Sequence, residues 1–286
     1  MKRVNLFITL LLLSGFFISC VPNTTAPQAG ESSESSAYLG QTPPGPEPQV
    51  FAPGIVSIEN AMDFAGSFSP DGSEFYFTRR LDGQKNALFE THWSDGGWTA
   101  PAPVTFSSEY PAFEGHLTAD NQILYFGWFR SAPDGITNTS DAGIWAVDRI
   151  TEGWSAPRYV GEGMYVSSDR QGQLYVTNMP ANSYPNISRV SLVDGKFGSF
   201  ENQFSGVHPA IAPDGSYLVY DNGDGNLSVR FLLSDGRWSA PKSLVSQGLP
   251  AEGVIASISP DGKYLFYTYQ GDLYWVSAEI ISNLQN

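Results

Sequence analysis

Three features of the sequence predict an all-β chain folded as a single β-propeller of about five four-stranded blades. A strand–turn–strand unit recurs every 43–51 residues or so, the period of a propeller blade. A second, Trp-containing unit recurs between its copies. Composition agrees, because 29 Gly and 20 Pro punctuate a 286-residue chain in which 14% of residues are aromatic.

The N-terminus precedes this pattern. Lys2 and Arg3 open the chain and Leu6 to Ile18 follows as an almost unbroken apolar stretch, too short to span a bilayer comfortably. Ser19-Cys20 comes directly after it, the layout of a secretory signal. Phe17-Ile18-Ser19-Cys20 resembles the lipobox of bacterial lipoproteins, which implies lipidation of Cys20, the sole cysteine. Residues 1–19 are therefore expected to be a lipoprotein signal peptide. Residues 20–49 are dominated by Ser, Thr, Pro, Gly, Gln and Glu and predict a disordered tether. The propeller is expected over 50–286, anchored to the cell envelope through the lipid. Val21 follows Cys20 where an inner-membrane retention signal would carry Asp. That favours the outer membrane in a double-membraned bacterium, and the outer face of the plasma membrane otherwise.

Four copies of the first unit are clear: Ser67 to Phe77 with Pro70-Asp71-Gly72, His116 to Phe126 with Ala119-Asp120-Asn121, Ala210 to Tyr220 with Pro213-Asp214-Gly215, and Ser257 to Tyr267 with Pro260-Asp261-Gly262. Pro sets the first corner, Asp bonds its own following backbone, and Gly or Asn accepts φ > 0. A degenerate copy runs from Ser168 to Val176. The second unit appears as Gly97-Trp98-Thr99-Ala100-Pro101, Gly153-Trp154-Ser155-Ala156-Pro157 and Arg237-Trp238-Ser239-Ala240-Pro241, with Lys196 to Phe200 as a weak version. Pro inside a strand restricts it to a sheet edge, so these are outermost strands whose Trp caps a blade against its neighbour.

The last blade has no such outer strand, whereas Val50 to Val56 reads as an outer strand with no blade before it. The N-terminal strand is expected to complete the C-terminal blade and close the ring, which removes two open sheet edges. Ala278 to Leu284 has the alternative of forming a fourth strand or a short helix.

The repeated Ser-Pro-Asp-Gly followed by a Tyr-Leu-Phe-Tyr-like strand resembles the TolB-type propeller repeat, a relative of the Trp-Asp repeat. The resemblance covers Ser57 to Ser277. It implies an exported bacterial propeller and is specific for fold. Its relatives include translocation factors, oligopeptidase propellers and lipoproteins. TolB itself carries an α/β domain before its propeller, where this chain has the expected tether.

Chemistry is sparse. There is no Gly-x-Ser-x-Gly elbow and no phosphate-binding glycine loop. The three histidines, His92, His116 and His208, have no metal-ligand spacing, and Asp221 to Asn226 reads as a hairpin turn rather than a calcium loop. No metal or cofactor is expected. A net charge of -14, from 29 acidic against 15 basic residues, argues against nucleic acid as a partner.

Geometry places any site where the innermost strands meet. Aligned on the repeat, one ring position holds Ala65, Glu114, Tyr165, His208 and Ile255. The position two residues on holds Ser67, His116, Ser167, Ala210 and Ser257. Glu114, His116, Tyr165 and His208 are thus candidate channel and ligand-binding residues. The functional expectation is a non-catalytic binding or protein-interaction module of the envelope, with an envelope protein or a small ligand, such as a carbohydrate, at the channel. The alternative is a five-bladed-propeller glycosidase pairing Glu114 with Asp63, Glu109, Glu162 or Glu252 across the channel.

Overall fold

The structure, a computed structural model, describes residues 37–107, 111–133 and 142–285. Cys20 and Glu109 lie outside them. Five antiparallel sheets form the five predicted blades. Their inner strands are Ala61–Phe68, Ala112–Leu117, Met164–Ser168, Val207–Ile211 and Val254–Ile258.

Closure follows the expected route. Gln49–Val50 pairs with Asp272–Ser277, so the N-terminal strand is the outer strand of blade five. Phe51, fully buried beyond that strand, packs its ring on Phe68, Phe75, Phe266 and Trp275 and so joins blades five and one. Ala278 to Leu284 contains the single helical turn Glu279–Ser282, whose Ile280 and Ile281 are buried between blades four and five.

The folded body begins earlier than the composition of 20–49 indicates. Tyr38 stacks among Phe68, Tyr264, Phe266 and Trp275, Leu39 is buried, and the Gly45 carbonyl accepts the Ser277 amide. Two apolar side chains are enough here because the groove between blades five and one is already lined with aromatic rings.

The outer strands of blades one and two each break in two, Gly97–Trp98 with Ala102–Pro103 and Gly153–Trp154 with Arg158–Gly161. The Ala-Pro between the pieces is the cause, since Pro has no amide to give the ladder. The tryptophans sit at blade interfaces. Trp98 packs with the cluster between blades five and one, Trp154 with that between one and two, and Trp238 on Tyr175 and Phe204 of blade three. Five such inter-blade clusters make up the core, and a sixth joins inner-strand residues of blades one, two, three and five.

Candidate functional site

The turns at one end of the channel are built alike. Asp71, Asp120, Asp214 and Asp261 each accept the amide two residues on, at 3.0–3.1 Å, ahead of a positive φ at Gly72, Asn121, Gly215 and Gly262. Blade three differs for a concrete reason. Its turn is one residue shorter, and Asp169 alone accepts the amides of Gln171 and Gln173, both at 2.9 Å. In blade one two side chains divide the corresponding work, Asp71 accepting the Ser73 amide and Ser69 that of Glu74. The shortened turn leaves Arg170 where blades one, four and five have Pro70, Pro213 and Pro260. Its guanidinium reaches across the mouth to the Pro260 carbonyl at 2.6 Å.

Within this ring of turns lies a cup of about 390 Å³. Pro70, Ala119, Arg170, Pro213 and Pro260 form its rim, and Ser67, His116, Ser167, Ala210 and Ser257 stand on its inner wall. The second predicted ring position is therefore the wall of a cavity of ligand-binding size. Tyr165 forms part of the floor and donates its hydroxyl to the Ala256 carbonyl. His116 Nε2 lies 2.8 Å from the Ser168 hydroxyl, and burial pushes its pKa down to about 4. The ring is neutral at pH 7.

The first ring position lies below the floor. Ala65, Glu114, Tyr165, His208 and Ile255 all have φ between 50° and 58°, and a register shift occurs at each of the five sites. That conformation is costly for residues other than Gly. A belt of bonds between blades holds it. The amides of Glu114, His208 and Ala65 donate to the hydroxyls of Thr78, Thr177 and Thr268, at 2.9, 2.9 and 3.4 Å, and that of Ile255 donates to Asp221 at 3.0 Å. Each acceptor stands on the second strand of the preceding blade. In blade two the equivalent residue is Gly127, where a Cβ would meet the Phe113 ring at 2.5 Å. There the Tyr165 amide favours the charged form of the Glu114 carboxylate, against the burial that raises its pKa.

Glu114 and His208 are thus parts of a buried plug. His208 Nδ1 is 2.6 Å from Asp221, and its Nε2 is 3.6 Å from Glu114. Burial opposes a charge on His208, but the Asp221 hydrogen bond and the fields of Glu114 and Asp221 outweigh it and raise its pKa. Burial likewise raises that of Glu114, against the pull of His208. Phe64, Ala65, Phe113 and Tyr165 pack together around this level.

The four candidate residues therefore divide. His116 and Tyr165 face the cup, while Glu114 and His208 form the layer beneath it. Of the carboxylates considered as catalytic partners for Glu114, Asp63 is fully buried and ion-paired to Arg79 at 2.6 Å. Glu162 and Glu252 precede inner strands at the opposite end and do not line the cup. Sequence reasoning missed Thr78, Thr177, Asp221 and Thr268, although a polar residue three positions after Phe75, Leu174, Leu218 and Leu265 was a readable signal. It also missed Arg170, which becomes visible only once the short turn is aligned.

No protein-family model and no curated protein matches the chain. Among solved structures it is similar to TolB from Acinetobacter baumannii, at 18% identity and a TM-score of 0.47. That match covers 66% of this chain and 45% of TolB, so the chain spans under half of TolB's length. It is also similar to a gluconolactonase from Xanthomonas campestris (14% identity, TM-score 0.48, covering 73% of this chain and 70% of that one). A third is the GH43 protein BlXynB from Bacillus licheniformis (11%, 0.48, covering 77% and 50%). With identities this low, the chain's own strand pairing is what establishes it as a five-bladed β-propeller.

Proposed function

We propose that this propeller is a non-catalytic binding module of the bacterial cell envelope, exported by its N-terminal signal and anchored through lipid on Cys20, with its ligand held in the cup at the Pro-Asp-Gly end of the channel. The observation that carries the reading is the separation of the cup from the reactive groups. The cup is a cavity of about 390 Å³, whereas Glu114, His208 and Asp221 lie beneath its floor and are committed to holding blades together. Asp169, the one carboxylate among the described lining residues, accepts two amides of its own turn on Oδ1. A glycosidase needs two carboxyl groups facing the substrate, and nothing in the cup wall supplies that pair.

The test is thermal unfolding of the full chain against mono- and oligosaccharides and short peptides, with hydrolysis of aryl glycosides measured in parallel. Binding without turnover, abolished when Ala210→Leu fills the cup, supports the module. Turnover lost in Glu114→Gln would replace it with the carbohydrate-active enzyme. If no small molecule shifts the midpoint, the cup reading fails and a protein partner at the opposite end takes its place. There Met62, Phe129, Met179 and Tyr184 are exposed large apolar or aromatic residues.

A further inference from the structure

Resting on the reading of the cup as a ligand site, we infer that it selects an uncharged, hydroxyl-rich ligand of about monosaccharide to disaccharide size, and discriminates against the charged counterparts of that ligand. The argument is the kind of hydrogen bonding the wall offers. Its uncharged polar groups are the hydroxyls of Ser67, Ser167, Ser168 and Ser257 and the imidazole of His116. Each of these both donates and accepts. Ser257 spends its proton on the Gly66 carbonyl and keeps its lone pairs. Ser167 accepts the Ile211 amide at 3.4 Å and keeps its proton. Ser67 makes no hydrogen bond to the described residues. His116 stays neutral because burial holds its pKa near 4, and its Nε2 pairs with the Ser168 hydroxyl at 2.8 Å, so that pair shares one proton donor and one acceptor between them. Such a wall pairs most completely with groups that also do both, which are alcohols. A carboxylate only accepts and an ammonium only donates, so either leaves part of the wall unmatched.

The charges around the cup point the same way. Asp169 gives its acceptor to two turn amides, and Arg170 gives a donor to the Pro260 carbonyl. An anion would enter past the four exposed turn carboxylates, Asp71, Asp120, Asp214 and Asp261, on a chain of net charge -14. A cation would in turn meet the Arg170 guanidinium at the rim. The apolar part of the wall, Phe68, Leu117, Val166, Ile211 and Ile258, offers contact for the C–H faces of a sugar or cyclic polyol. The volume lies within the range of small-molecule sites.

The experiment is isothermal titration of the full chain at pH 7 with matched probes: glucose, galactose, mannose and N-acetylglucosamine as neutral sugars, glucuronate and glucosamine as charged ones, and short peptides for comparison. At least one neutral sugar is expected to bind at least tenfold more tightly than both charged analogues. Ser67→Ala removes a hydroxyl that holds nothing else in place, so the fold persists, and neutral binding should weaken about three- to tenfold. Glucuronate or glucosamine binding as tightly as the best neutral sugar would overturn the assignment. So would neutral binding that Ser67→Ala leaves unchanged, or peptides binding where sugars do not. In those three cases Ala210→Leu still blocks whatever binds, and the module reading survives. If no probe binds at all, or if Ala210→Leu blocks nothing, both fall together.

Discussion

The belt of bonds beneath the cup makes its own energetics accessible to a substitution that changes almost nothing else. Thr177 is fully buried, and its hydroxyl accepts the His208 amide at 2.9 Å, where His208 sits at φ 52°. Thr177→Val puts a methyl in place of that hydroxyl at nearly constant volume, so no cavity opens. What remains is a buried amide without an acceptor, which costs about 1–3 kcal/mol. For a domain of this size each kcal/mol lowers the melting midpoint by roughly 2–4 °C. Urea unfolding should show a lower midpoint at unchanged slope, and the His208 amide should lose its protection from hydrogen exchange. Thr78→Val should behave likewise, because its bond to the Glu114 amide is also 2.9 Å. Thr268→Val should cost less, since its bond to the Ala65 amide is 3.4 Å. Three valine variants all within about 0.5 kcal/mol of the wild type, below the usual cost of an orphaned amide, would refute the idea that these hydroxyls hold the left-handed ring.

Two further outcomes are expected. Burial depresses the His116 pKa to about 4 from an ordinary value near 6.5. The folded state therefore binds its proton more weakly than the unfolded chain. The stability from that neutral imidazole is complete above pH 6.5 and is lost as pH falls toward 4. Comparing wild type with His116→Gln from pH 7.5 to 5 should show the wild type losing about 1–2 kcal/mol more, a figure discounted because part of the ring faces the cup and meets water. A gap that widens on acidification would contradict the assignment. Cys20→Ser should release the protein from the membrane fraction and remove its lipid mass, and full membrane retention of the variant would remove the lipid anchor from the proposed function.

Much of the architecture is legible in sequence because turn chemistry is local. Pro-Asp-Gly fixes a corner whatever surrounds it, and Asp71, Asp214 and Asp261 perform the bond expected of them. The missing outer strand of the last blade, set against Val50 with nothing to pair with, was enough to anticipate closure by the N-terminus. The ring positions were also correctly aligned, since their spacing from the turn is preserved even in the degenerate blade. Their roles were not legible. Glu114 and His208 look like channel-lining chemistry in sequence, but each has a backbone that turns left-handed and a side chain that is drawn into the plug. No local preference of Glu, Tyr, His, Ala or Ile announces φ > 0. Tyr38 and Leu39 were hidden for a related reason, because two apolar residues in a polar stretch gain their burial from rings supplied by Phe68, Tyr264, Phe266 and Trp275.

By itself, then, the sequence determined the blade repeat, the number of blades and the way the ring closes, because each follows from patterns within one blade's length or from a count of strands. Only the tertiary structure decided that Glu114, Tyr165 and His208 pack against one another, that a cup lies above them, and that Arg170 crosses its mouth. Those outcomes depend on which side chains from five separate blades converge on one axis. Residues as far apart as Thr268 and Ala65 meet there only once the ring has closed.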